Sequence, residues 1–246
     1  MSVPGGTISR LILEMDGVAV RYPGGTAPVV SGVHLSLQGG QRLALLGLNG
    51  SGKTTLLLAP VGLLPVEGRI TVTGLDLGRS TLAEIRRRTG FLFAVPEDQL
   101  LFPRALDDVL FSLERRGLSG EEARRKASAM LDRLGIAHLA DRNPHSLSHG
   151  ERTRVALAGA LVGDTELLLL DEPSAALDPP ARLDLARLLA DLPTAMVVAT
   201  HDLEFARSVA THFTLLENGC LRHGARPIAE LPGDQNRIWP VTNSAP

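Results

Sequence analysis

Residues Gly47–Thr55 read GLNGSGKTT, and the rest of the chain is read from this stretch. It fits the pattern G-x-x-x-x-G-K-[ST] at Gly47, Gly52, Lys53 and Thr54. The run before it, RLALLG from Arg42 to Gly47, has the length of a buried strand. The run after it, TLLLAPVGLL, starts as a helix and is stopped near Gly62 and Pro65. Strand, glycine loop and helix is the context the pattern needs. Without Cβ atoms at Gly47, Gly50 and Gly52, the chain can curl tightly and aim several N–H groups at one point near the positive end of the helix. That point suits a phosphate. Lys53 is expected to reach the β- and γ-phosphates of a nucleotide and the Thr54 hydroxyl to ligand Mg²⁺, with Asn49, Ser51 and Thr55 completing the cradle.

Two further strand ends carry chemistry. Glu166–Leu170 (ELLLL) reads as a buried strand and runs into Asp171-Glu172-Pro173. A carboxylate there stands at the mouth of the sheet, so Asp171 can hold Mg²⁺ through water and Glu172 can orient or deprotonate an attacking water. Thr194–Thr200 (TAMVVAT) is a second apolar strand and ends at His201-Asp202. Parallel strands alternating with helices, with ligands at their C-terminal ends, describe a nucleotide site on a doubly wound sheet.

Around this core the patterns change. Leu11–Tyr22 and Val33–Gln38 alternate apolar and polar residues between glycine turns, which predicts antiparallel strands. Tyr22 is either a base-stacking aromatic or an ordinary strand residue. Gly68–Gly74 and Phe91–Val95 read as strands, Leu82–Thr89 as a short helix, and Asn218-Gly219 as a hairpin turn. Residues 105–163 are mainly helical. Glu121–Leu134 has apolar residues at helical spacing, with Ser119 as N-cap and Glu122 three residues on. In PEDQLLFPRAL, the apolar Leu100, Leu101, Phe102 and Leu106 either fold back as a plug or line a docking groove.

Composition narrows the function classes. The chain of 246 residues is 44% hydrophobic and 21% charged, which is globular rather than disordered. A net charge of −2 argues against nonspecific nucleic-acid binding. Lysine occurs only at Lys53 and Lys126, so an anionic ligand must be drawn in locally. The lone Cys220 excludes an internal disulfide and suits a reducing compartment. No apolar run is long enough to span a membrane, and MSVPGGTISR has no signal-peptide core, so a cytoplasmic protein is expected.

The order of motifs resembles that of the ATP-binding subunits of ABC transporters, over roughly residues 10–225. In that likeness Tyr22 is the base-stacking aromatic, Gly47–Thr55 is Walker A and Leu147-Ser148-His149-Gly150-Glu151 is the LSGGQ signature. Leu167–Glu172 is Walker B, Ser174–Asp178 the D-loop and His201 the switch histidine. The resemblance implies an α/β P-loop NTPase (RecA-like) core with an antiparallel β subdomain. A helical subdomain, about 94–163, is inserted in a domain spanning 1–225, and 226–246 form a short tail. It also implies a dimer with a second ATPase subunit around MgATP. Ser148 then contacts the partner's nucleotide, Gly150, Glu151 and Asp178 also serve nucleotide binding, Glu172 and His201 serve catalysis, and Thr54 and Asp171 serve Mg²⁺. The dimer would drive a membrane permease from the cytoplasmic face. PEDQLLF resembles a segment of energy-coupling-factor ATPases, and LSHGE followed by RVALAGAL is similar to their cobalt/nickel members. Two positions depart from the family: His149 replaces a signature glycine, and Ala94 stands where a glutamine is usual. Rival readings are a soluble assembly ATPase, such as one serving iron–sulfur clusters, and a nucleotide-gated module with little turnover.

Overall fold

The computed structural model describes residues 10–233 and Ile238. The expectations about the first nine residues and the end of the tail lie outside the described residues. In chain order the elements are β1 (Leu11–Val20), β2 (Val30–Gln38), β3 (Arg42–Leu46), α1 (Lys53–Leu58), β4 (Val66–Val72), β5 (Leu75–Asp76), α2 (Leu82–Arg88) and β6 (Thr89–Leu92). Then come α3 (Ala105–Glu114), α4 (Gly120–Arg133), α5 (His149–Leu161), β7 (Leu167–Asp171), α6 (Pro179–Ala190), β8 (Ala195–Thr200) and α7 (Leu203–Val209). The last are β9 (His212–Glu217), β10 (Cys220–Leu221) and β11 (Arg226–Pro227).

The strands form two sheets. One is antiparallel in the order β2-β1-β4-β5. The other runs β10-β9-β3-β8-β7-β6, parallel from β9 to β6, with β10 and β11 pairing antiparallel to β9. Its central strands are apolar throughout because both faces are covered. Side chains alternate between faces, so Leu43, Leu45, Leu167, Leu169, Ala195 and Val197 pack towards the antiparallel sheet and α1. Leu168, Leu170, Met196 and Val198 pack on the other side, against the helices that follow β6 and β7. No helix among the described residues is long and apolar enough to cross a membrane.

Two expectations are corrected and one open alternative is divided. β6 stops at Leu92 rather than Val95, because the Phe93 amide donates to the Gln99 side chain at 2.9 Å and leaves the ladder. Ser119 precedes α4 but its hydroxyl accepts no N–H of the helix; Gly120, next in line, has φ +74 and brings the chain in from a left-handed residue. Leu100 and Leu106 are buried in the helical core, leaving Leu101, 70% exposed, and half-buried Phe102 at the surface. Beyond residue 225, Arg226–Pro227 pairs with β9, and Leu231 and Ile238 cover Ala44, Leu46 and Phe213.

Asp108 holds the segment that displays Leu101. Its Oδ1 accepts the amides of Leu101 (2.7 Å) and Phe102 (3.2 Å), while its Oδ2 is buried with no hydrogen-bond partner among the described residues. Burial pushes its pKa up to about 6, against the opposing pull of the two amides. The neutral acid is therefore favoured by folding. Its contribution is complete below the unfolded pKa of roughly 3.9 and is lost as pH rises to about 6. Asp108→Asn keeps the acceptor oxygen and cannot ionise. Its stability relative to the native chain should rise between pH 4 and pH 7, by on the order of 1–3 kcal/mol, in urea unfolding at the two pH values. A difference that does not change with pH would remove the assignment.

Candidate active site

Three parallel strands deliver the site to one edge of the sheet. Leu46 of β3 pairs with Thr200 of β8, and Asp171 of β7 pairs with Ala199 of β8. The chain therefore leaves the sheet side by side at Gly47, at His201 and at Glu172. The loop after β3 is tight. A Cβ on Gly47 would lie 2.3 Å from Ser51 Oγ and 2.8 Å from the Leu216 carbonyl, so only glycine fits. Gly52 has φ +103 and lies against Val30, and glycine alone adopts that turn without strain. The Gly219 amide donates to the Ser51 carbonyl at 3.2 Å, so the β9–β10 turn braces the loop. The amides of Gly50, Gly52, Lys53 and Thr54 donate to no carbonyl among the described residues. Free donors curled around one point make an anion cradle.

Beside the cradle is a cleft of about 350 Å³, lined by Val29, Asn49, Gly50, Gly52, Lys53, Thr54, Thr55 and Glu172. Its size is that of a small-ligand site. Lys53 is buried beneath it; its Nζ donates to the carbonyls of Gly47 (2.8 Å) and Leu48 (3.2 Å) and lies 3.1 Å from Glu172 Oε1. Glu172 Oε2 meets His201 Nδ1 at 3.0 Å. Glu172 itself has φ +44, a left-handed conformation that costs a residue with a side chain on the order of 1–3 kcal/mol and is concentrated at functional sites.

Thr54 Oγ1 donates to Asp171 Oδ2 at 2.7 Å, while Asp171 Oδ1 is buried with no hydrogen-bond partner among the described residues. Burial raises the Asp171 pKa, with the Glu172 charge adding to it, against the Thr54 hydrogen bond and the Lys53 charge. A carboxylate oxygen left over beside a hydroxyl fits a hard divalent cation. Among the described residues no three His, Cys, Asp or Glu side chains cluster to hold a metal by themselves. Phosphate oxygens and water would complete such an ion's shell, as suits Mg²⁺.

Not every residue singled out from the sequence comes to the cleft. The Tyr22 hydroxyl lies 3.3 Å from Thr55 Oγ1, which puts the half-exposed ring at its border. Ser51 faces inward, its hydroxyl buried without a hydrogen-bond partner among the described residues. Ser148, Gly150, Glu151 and Asp178 do not line the cleft. Ser148 and Glu151 close a reciprocal capping box on α5, with the Ser148 amide donating to Glu151 Oε2 at 2.8 Å. Hydrogen bonds from the Ser148 amide and hydroxyl hold the Glu151 carboxyl below its usual pKa. Asp178 caps α6, accepting from Ala181 at 2.8 Å. Val29 was not foreseen; an apolar residue beside Pro28 gives no sign in sequence that it will wall a cleft.

A phosphate cradle, a lysine, a Thr–Asp pair and a Glu–His pair on parallel strand ends define a P-loop nucleoside-triphosphatase. Comparison with known proteins narrows this. The family model described as ABC transporter matches residues 30–175. A protein of Gloeobacter violaceus named for the same family is 46% identical, over 91% of this chain and 90% of its own length. The nickel import ATP-binding protein NikO of Rhodobacter capsulatus is 41% identical over 89% of this chain and 90% of its own. Among solved structures, cbiO1 of Clostridium perfringens, part of the ABC transporter complex cbiONQ, superposes with a TM-score of 0.81 at 30% identity, covering 94% of each chain. The ATP-binding cassette MJ0796, solved as a post-hydrolysis dimer with ADP and Pi, gives 0.77 at 28% identity, over 88% of this chain and 99% of its own. The chain belongs to the ATP-binding subunits of ABC transporters and is a transport-coupled ATPase.

The lysine supplies the first check on the cleft. Lys53→Ala removes a charge-assisted contact of about 1.5–3 kcal/mol, so MgATP affinity should fall by roughly 10- to 150-fold in a fluorescent-nucleotide titration. Unchanged affinity would place the nucleotide elsewhere.

Proposed function

We propose that this chain is the ATP-hydrolysing subunit of an energy-coupling-factor importer for cobalt, nickel or another micronutrient, which dimerises around MgATP to drive a membrane permease. The observation that carries the reading is a division within one chain. The cradle, Lys53 and Glu172 belong to the cleft, whereas Ser148 and Gly150, at the start of the 13-residue α5, do not. Two copies facing head to tail would bring one copy's α5 to the other's nucleotide, where its positive end, about half a charge, meets the γ-phosphate. The nickel import named for NikO and the membership of cbiO1 in cbiONQ support the importer assignment. Leu101, held at the surface by the Asp108 turn, is the residue this reading assigns to the permease contact.

In this reading the loop amides and Lys53 hold the β- and γ-phosphates. Glu172 takes the proton of the attacking water, and His201 holds Glu172 in position and meets the γ-phosphate. Thr54 and Asp171 would hold Mg²⁺, which when bound neutralises charge on the phosphate oxygens. Tyr22 stacks on the base, and Asp178 meets the nucleotide from the partner subunit.

Glu172→Gln should bind ATP normally, hydrolyse it slowly and run as a dimer with ATP on size-exclusion chromatography. Co-expressed with its permease it should co-purify with it, and Leu101→Ser should lose the permease while keeping the ATP-dependent dimer. A variant that stays monomeric with saturating ATP at high protein concentration would defeat the proposal.

Ala94 offers no ligand atom where the family usually has glutamine, so the attacking water is held by fewer groups. Misplacement near 1 Å can cost on the order of 10²-fold in rate. Ala94→Gln should therefore raise basal kcat with little change in ATP affinity; equal or slower turnover would show that the native site compensates fully.

A further inference from the structure

The turn after β8 is pinned on several sides, and one of its partners comes from a different helix. Thr200, fully buried at the end of β8, accepts the Asp202 amide on its hydroxyl at 3.0 Å. Asp202 Oδ1 accepts the Phe205 amide at 3.0 Å and so caps α7. Its other oxygen, Oδ2, accepts Arg182 Nη1 at 2.9 Å, and Arg182 Nη2 donates to the exposed Glu204 at 3.2 Å. Arg182 stands in the first turn of α6, where its amide donates to the Asp178 carbonyl at 2.9 Å. Between the two pinned residues Thr200 and Asp202 sits His201, whose Nδ1 meets Glu172.

We infer that Arg182 is a positioning residue for ATP hydrolysis: its guanidinium fixes the turn that presents His201 to Glu172 and ties that turn to the helix beginning at Asp178. The inference rests on the roles proposed above for Glu172 and His201. Two donors on one rigid plane reach two carboxylates, which a lysine ammonium cannot reproduce in full. A partly exposed ion pair contributes little to folding stability. The cost of losing this one should therefore appear in the chemical step rather than in unfolding.

The test is steady-state ATPase of the full chain, with melting temperatures measured alongside. Arg182→Gln should lower kcat about tenfold, well within the range for misplaced groups, while KM for ATP and the melting temperature stay near native. Arg182→Lys should recover much of the rate, and Glu204→Gln should leave it unchanged. Asp202→Asn retains the cap oxygen and breaks the same bridge from the other side; it should give the same loss, with no further loss in the double variant. His201→Ala separates the two levels of argument. If His201→Ala keeps native turnover, the reading of the histidine fails. If it slows turnover and Arg182→Gln slows the His201→Ala enzyme no further, Arg182 acts through His201. A full additional loss in that background, or native kcat in both Arg182→Gln and Asp202→Asn, overturns the inference.

Discussion

Everything at the site depends on the register of three parallel strands. Leu46 opposite Thr200 and Ala199 opposite Asp171 bring three chain exits to one edge, so the phosphate loop, the histidine turn and the acidic pair meet without any long excursion. A slip of one residue would turn every buried leucine of β7 to the other face and move Asp171 to the place of Leu170 or of Glu172. The apolar run is thus not only core. Leu167, Leu168, Leu169 and Leu170 are all fully buried, and the packing on both faces fixes the register by which a carboxylate emerges beside Thr54.

That placement requires charge to be buried. Asp171 is 1% exposed and Lys53 is 6% exposed, and a desolvated ion is costly unless it is paired. The fold meets the cost partly from within, through the Thr54 hydroxyl on Asp171 and the Gly47 and Leu48 carbonyls on Lys53. It does so incompletely: one oxygen of Asp171 remains without a hydrogen bond among the described residues, and burial holds its pKa up. A cation beside that oxygen would remove the penalty. In the function proposed above, that cation arrives with the phosphates of the nucleotide.

The parts of this arrangement that could be read from the sequence are those set by local chemistry. Gly47 and Gly52 announce the loop because the geometry admits no side chain there, and the four leucines before Asp171 announce a strand covered on both faces. The hairpin at Asn218-Gly219 was legible for the same reason: both residues take positive φ, as the dipeptide prefers. What could not be read was set by distant partners. Ser119–Glu122 and Ser148–Glu151 carry the same S-x-x-E pattern, yet only the second closes a capping box, and the pattern does not tell the two apart. Leu100, Leu101 and Leu106 look alike in sequence, yet Asp108 turns the Leu101 backbone outward while its neighbours sink into the helical core. Val29, Arg182 and the Gly219 brace act over separations that no local pattern records.

Ala94 and Gln99 show how such a distant contact settles a choice that the sequence leaves open. With no glutamine at position 94, the glutamine five residues on is the obvious substitute ligand. Its amide is already committed. The Gln99 oxygen accepts the Phe93 amide at 2.9 Å, and its nitrogen lies 3.5 Å from the carbonyls of both Phe91 and Ala156. To swing towards a metal it would have to leave a backbone amide unpaired at the end of β6, which costs about 1–3 kcal/mol when buried. Ala156 lies on α5, the helix that starts at Ser148, and Glu97, two residues before Gln99, pairs with Arg152 of the same helix. The short segment after Ala94 is therefore a strut from the sheet to α5.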